Sequence, residues 1–172
     1  MNQLLRILGL SLLILFIQAF LLKDLLALPE WHAYPKLYPL IVLMLPLSLS
    51  PWVLYVVAFV TGLLTDVLLG WPLGGSSFCL VLLVVLRTRW ILMISRQSSA
   101  ELLDDFDIER NQLSWQLGYL LPLLVFYELI YNLLIDFGMH LSTLYTIVTS
   151  SLMSVFWAFV FVIMVFHRAQ RR

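Results

Sequence analysis

Six apolar runs, at residues 4–22, 37–49, 52–69, 76–94, 115–135 and 141–166, occupy most of this chain and leave little room for anything else. Crossing a hydrocarbon core takes roughly 17–25 helical residues. Four of the runs fit that length comfortably, and the last is long enough to tilt or to protrude. The run at 37–49 is the exception, because it is short and contains Pro39 and Pro46. It predicts either a short, kinked span or a re-entrant segment. Charged residues make up 12% of the chain, against roughly 25% in an ordinary soluble domain. With a mean hydropathy of +0.99, the pattern predicts an all-α integral membrane protein of six transmembrane helices, organised as a single polytopic domain over 1–172. The one sizeable polar stretch, the loop at 95–114, is too short to bury a core of its own.

The links between runs are short, which makes consecutive helices antiparallel neighbours. Ser48-Leu-Ser-Pro51 reads as a tight hairpin with Pro51 at the first helical position and Ser50 as its cap. Gly70-Trp-Pro-Leu-Gly-Gly75 and Asp136-Phe-Gly-Met-His140 are further turns. In the loop, Ser98 and Glu101 have capping-box spacing, and Leu102, Leu103, Phe106 and Leu113 recur at near-helical intervals. It is either an amphipathic helix that docks at the interface or on a partner, or a solvated loop whose acids neutralise nearby arginines. The first run lacks the short apolar region and cleavage site of a signal peptide and reads as a retained span. Arg6, Arg87, Arg89, Arg96, Arg110, Arg168, Arg171 and Arg172 fall on one side of a six-span arrangement, against Lys23 and Lys36 on the other. The bias toward basic cytoplasmic loops puts the 95–114 loop and both termini in the cytoplasm. A five-span arrangement with 37–49 re-entrant satisfies the bias equally for the loop and the C-terminus. No basic face suited to nucleic acid is present.

Asp66 is the most informative single residue. An ionised Asp at the centre of a membrane helix costs about 2.5–3.5 kcal/mol on insertion scales, so it is rarely left facing lipid. Ala58, Gly62 and Asp66 lie at i, i+4, i+8 with Thr61 and Thr65 alongside, a small-residue stripe that lets another helix approach closely. Glu128 and Asp136 fall toward the same outer side. These acids could serve cation or proton transport, a partner helix or its basic flank, or local polar groups. No chain of acids or histidines continues through the inner halves, which argues against transport. The default partners for a single acid are Tyr127, Tyr131, Asn132 or Thr65. Arg87 and Arg89 can snorkel to the inner interface and, with Phe106, are the cytoplasmic contact candidates.

His32, His140 and His167 are far apart and show no metal-binding spacing, and no histidine is placed to activate a serine. The single Cys79 excludes an internal disulfide. The residues give no support to an enzyme, and neither a metal nor a cofactor is expected.

The run from Tyr38 to Val53, followed by Ala58-Phe-Val-Thr-Gly-Leu-Leu-Thr-Asp66 and Trp71-Pro-Leu-Gly-Gly75, resembles the rod shape-determining MreD family, especially its Bacteroidetes-type form. The matching features are Pro39 and Pro46, Gly62, Leu63 and Asp66, Gly74, and Arg87 or Arg89. Tyr127-Glu-Leu-Ile-Tyr131 is similar to the family's fifth span, although its aromatic pair differs. The resemblance implies a six-span protein of the bacterial inner membrane that pairs with the bitopic MreC and works with the actin-like MreB in lateral wall synthesis. It implies no catalytic residues. It also implies a fold similar to the membrane substrate-binding component of vitamin transporters, which keeps small-molecule binding as the alternative function. Ala58, Gly62, Asp66, Gly74, Gly75 and Glu128 are then the expected helix-packing or partner interface, whether the neighbour is MreC, another membrane protein of the complex or a second copy in a homodimer.

Overall fold

The computed structural model describes residues 2–22, 35–46, 49–95, 113–135 and 141–167, and every regular element among them is a helix. In chain order these are α1 (Asn2–Ile17), which continues into a π-helical turn at Gln18–Leu22, then α2 (Pro39–Leu43), α3 (Pro51–Leu69), α4 (Gly75–Ser95), α5 (Leu113–Ile135) and α6 (Leu141–His167). Most of the 95–114 loop, including Phe106, lies outside the described residues, as do the turn at 136–140, Lys23 and the C-terminal arginines.

Three stretches are long and apolar enough to cross a membrane: Pro51–Leu69, Gly75–Ile94 and Leu144–Phe161. The described apolar parts of α1 and α5, Ser11–Phe20 and Gly118–Leu134, are shorter. The run at 37–49 forms no spanning helix among the described residues. Its described residues hold the five-residue α2, about 7.5 Å long at the normal rise per residue. Pro39 starts that helix at a position where its missing N–H is not needed.

Local sequence explains most of the remaining breaks. Pro51 opens α3. Ser50 occupies the cap position, but its side chain makes no cap bond, contrary to the sequence expectation. Gly70, with φ of 68°, closes α3 in the left-handed conformation, and Gly74 at 95° completes the turn. An ordinary residue at either position would strain the backbone. Pro122 lies inside α5 and cannot donate to the carbonyl four residues back. That carbonyl, of Gly118, instead accepts the Trp90 indole N–H at 3.2 Å.

Interactions between helices give their relative directions. The Tyr38 hydroxyl contacts Ser76 and Tyr127, whereas the Arg87 guanidinium bonds to the carbonyls of Val42 and Leu45. The 35–45 segment therefore runs alongside α4 from its N-terminal part to beyond its middle. Ser77 pairs with Phe59 near the middle of α3, so α3 returns antiparallel to α4. Trp90 against Gly118, with Ser76 and Tyr127 sharing Tyr38, makes α5 antiparallel to α4 as well. Gln18, at the end of α1, meets Pro35 and Leu37. The 35–45 segment, α3, α4 and α5 thus alternate in direction.

The polarity of the molecule is that of a membrane protein. Trp52, Leu12, Val67, Met93 and Phe156 are outward and exposed, while Lys36, Asp66, Arg87 and Glu128 are buried. Lipid solvates the first set, and the second requires internal partners.

Candidate functional site

Residues 35–45 are almost wholly buried, and much of this stretch is not helical. Its backbone polar groups cannot all bond within the segment. In a membrane such backbone is tolerated only where protein satisfies it. The surrounding helices do so. Gln18 Nε2 donates to the Pro35 carbonyl at 3.0 Å, and its Oε1 accepts the Leu37 N–H at 2.6 Å. The Lys36 N–H donates to Ser154 Oγ of α6 at 2.9 Å. At the other end the Tyr119 hydroxyl of α5 donates to the Leu43 carbonyl at 3.1 Å, and Arg87 of α4 donates to the carbonyls of Val42 and Leu45.

The richest polar cluster surrounds Lys36. Its Nζ lies 2.6 Å from Glu128 Oε2, with both side chains almost fully buried. Glu128 Oε1 accepts the Ser154 hydroxyl at 3.3 Å, and Asn132 Nδ2 approaches Oε2 at 3.4 Å while bonding the Glu128 carbonyl at 2.8 Å. Aromatic rings enclose the ammonium. Its Nζ is 4.1 Å from the centroid of the Tyr131 ring, 5.8 Å from Trp71 and 5.9 Å from Tyr127. The rings support one another, Tyr127 stacking on Tyr131 at 6.0 Å and Trp71 leaning on Tyr131 at 5.4 Å. Tyr38 packs edge-on to Tyr127, and their hydroxyls hydrogen-bond. A carboxylate with several ring faces is the chemistry that holds an ammonium in a water-poor site.

Asp66 is fully buried and binds backbone rather than side chains. Its Oδ2 accepts the Gly74 N–H at 2.8 Å and its Oδ1 accepts the Ser76 N–H at 3.3 Å. Both donors belong to the first turn of α4 or its cap, where free N–H groups and the positive end of the helix dipole favour an anion. Thr65, one of the expected partners, bonds back to the Thr61 carbonyl at 2.8 Å instead.

The remaining residues singled out from the sequence fall in different environments. Ala58 and Gly62 are buried, Gly62 directly against α4 of the same chain. A Cβ at Gly62 would lie 2.3 Å from the Ser77 Cα, so the stripe is consumed by this internal crossing. Gly74 and Gly75 are half-buried in the turn, with Gly75 beside Tyr131. Arg89 is exposed, but Arg87 is 1% exposed. Snorkelling therefore describes Arg87 wrongly: the open carbonyls at the end of α2 draw its guanidinium inward.

Lys36 and Gln18 were missed. The sequence pattern shows Lys36 only as one of two basic residues on the outer side. The signal lay in Glu128, an acid inside a span that needs a basic partner, with Lys36 one of only two lysines in the chain. Taken together, a polar interior, an apolar exterior and helices of spanning length define an all-helical protein of membrane type. No family model, curated protein or solved structure matches the chain.

Proposed function

We propose that this chain is a non-enzymatic scaffold of the bacterial inner membrane, acting in the rod-shape complex beside the bitopic MreC and the actin-like MreB. The observation that supports this most is where the residues behind the MreD resemblance fall. Pro39 starts α2, Gly62 makes the α3–α4 crossing, Asp66 and Gly74 form the cap of α4, and Arg87 holds the end of α2. These positions are spread along the sequence, yet each contributes to seating the 35–45 segment or closing the α3–α4 hairpin.

On this reading the chain crosses the bilayer six times with both termini in the cytoplasm, and the second crossing is irregular. The alternating directions of the 35–45 segment, α3, α4 and α5, with the end of α1 meeting the start of that segment, favour that count over five. Because the Gly62 stripe is internal, the partner surface is sought on the lipid-facing sides of the helices.

Co-expression of the tagged chain with MreC from the same genome, followed by membrane purification, tests the proposal. The expected outcome is stoichiometric co-purification, together with rounding of cells when the chain is depleted. Absence of both would overturn it.

A further inference from the structure

We propose that the cage around Lys36 is a binding site for primary ammonium groups and that the chain's own lysine is its resident ligand. This inference stands apart from the scaffold reading and is tested by binding rather than by cell shape.

The walls come from two separate parts of the chain. Trp71 belongs to the α3–α4 turn, and Tyr127, Glu128 and Tyr131 to α5, with Tyr38 packed against the Trp71 and Tyr127 rings. The lysine is not the only group that could fill the space. Its backbone is held by the bond from its N–H to Ser154, and the flanking Pro35 and Leu37 are held by Gln18, so the segment has anchors besides the lysine side chain. Among the described residues Nζ has one hydrogen-bond acceptor, Glu128 Oε2, and otherwise faces rings. A lysine has four methylenes with which to snorkel toward water, yet Lys36 is turned inward and only 5% exposed.

The cage also has an approach. Trp71 is half-buried, and the next two residues of its turn, Pro72 and Leu73, are exposed. Among the described residues, Trp71 is the ring of the cage that continues into this exposed turn. Movement of that ring would admit a competing cation from the membrane boundary.

The same geometry sets the selectivity. Contact with Glu128 at 2.6 Å requires an N–H donor, which a quaternary ammonium lacks. A primary alkylammonium satisfies both the carboxylate and the rings, whether it arrives as a free amine or as the aminoethyl headgroup of a lipid.

The test uses the full chain in phosphatidylcholine nanodiscs. Lys36→Ala should unfold at a lower temperature than the parent protein. Titration with n-butylammonium should restore most of the loss saturably, while tetramethylammonium at matched ionic strength should not, and adding Glu128→Gln should abolish the recovery. Recovery that occurs with phosphatidylethanolamine in the disc and no free amine identifies the headgroup as the source; recovery with the free amine alone identifies a soluble one. No recovery in either arm, or equal recovery with tetramethylammonium, overturns the proposal. The unsubstituted protein gives a second measurement should Lys36→Ala fail to accumulate. Its two lysines can be compared by amine-reactive labelling, with Lys23 as the internal reference for reagent consumed. Displacement by n-butylammonium should raise the Lys36-to-Lys23 ratio saturably, because the cation favours the state in which Lys36 has left the cage. An unchanged ratio would sink the idea.

Discussion

At the two ends of the 35–45 segment sit two buried cations, Lys36 and Arg87, and the protein stabilises them by different means. Lys36 has a counter-charge, Glu128 at 2.6 Å, and aromatic faces around it. Arg87 pairs with no acidic side chain among the described residues and faces carbonyls at the C-terminal end of α2. That end carries the negative pole of the helix dipole and its unsatisfied acceptors. The planar fork of a guanidinium reaches two of them at once, which an ammonium cannot do with fixed geometry. Asp66 is the converse of Arg87, an anion held by the amides that begin α4. Charge is therefore neutralised by charge at one end of the segment and by backbone dipoles at the other. The first arrangement depends on two side chains, and the second on one side chain and the main chain.

This contrast orders the expected consequences of substitution. Glu128→Ala should be the most damaging, because it leaves Lys36 buried without its partner. Breaking one side of a buried pair costs about 3–5 kcal/mol, and the variant should show a large fall in thermal unfolding midpoint or fail to purify as a monodisperse species. A midpoint near that of the parent would mean that the rings alone hold the lysine. Arg87→Met comes next. It removes the charge together with its desolvation cost, but takes this donor from the Leu45 carbonyl and leaves the Val42 carbonyl only the long bond from the Leu45 N–H at 3.4 Å. At roughly 1–3 kcal/mol for an unsatisfied group, the loss should be about 1–3 kcal/mol, read from denaturant titration in detergent. An unaffected Arg87→Met would show that those carbonyls find other donors.

The sequence made parts of this arrangement legible and hid others for physical reasons. Apolar runs announce membrane helices because length and composition suffice, and the i, i+4, i+8 stripe at Ala58, Gly62 and Asp66 announces an inward face because helical periodicity does. The partners of Asp66 were not legible. They are backbone N–H groups of residues 74 and 76, and every residue but proline carries such a donor, so no side-chain pattern marks them. The irregular character of 35–45 was half visible in Pro39 and Pro46. What stabilises it was not, because Gln18, Arg87, Tyr119 and Ser154 come from four separate helical segments that only the tertiary fold assembles. Arg87 departs from the snorkelling expectation for a related reason. The snorkelling rule assumes that water offers the nearest hydrogen-bond acceptors, whereas here the open end of α2 offers nearer ones.

Smaller substitutions sharpen the comparison without removing a charge. Tyr119→Phe deletes one bond to the Leu43 carbonyl at the arginine end, and Ser154→Ala removes the acceptor of the Lys36 N–H at the lysine end. Hydrogen bonds of this kind between membrane helices average about 0.6 kcal/mol and reach about 1.7 kcal/mol. Ser154→Ala should be the costlier of the two, because Ser154 also donates to Glu128 at 3.3 Å. A matched pair of unfolding curves decides the order.

The smallest effect should come from the most drastic change at the lysine end. Replacing both members of the pair, Lys36→Met with Glu128→Leu, removes the two desolvation costs together with the attraction between the charges. Buried ion pairs exchanged for apolar residues of similar volume are often neutral or stabilising, so the double variant should unfold within about 1 kcal/mol of the parent, far above Glu128→Ala. The four corners of the cycle give the coupling energy directly, and a double variant as weak as the single one would show that the cage needs its ammonium for shape. The arginine end allows no such repair by exchanging a partner side chain. The groups that Arg87 serves are main-chain carbonyls, which no substitution can delete, so any apolar replacement leaves them without those bonds. The difference between a repairable pair and an irreplaceable side chain is the sharpest consequence of how the two cations are held.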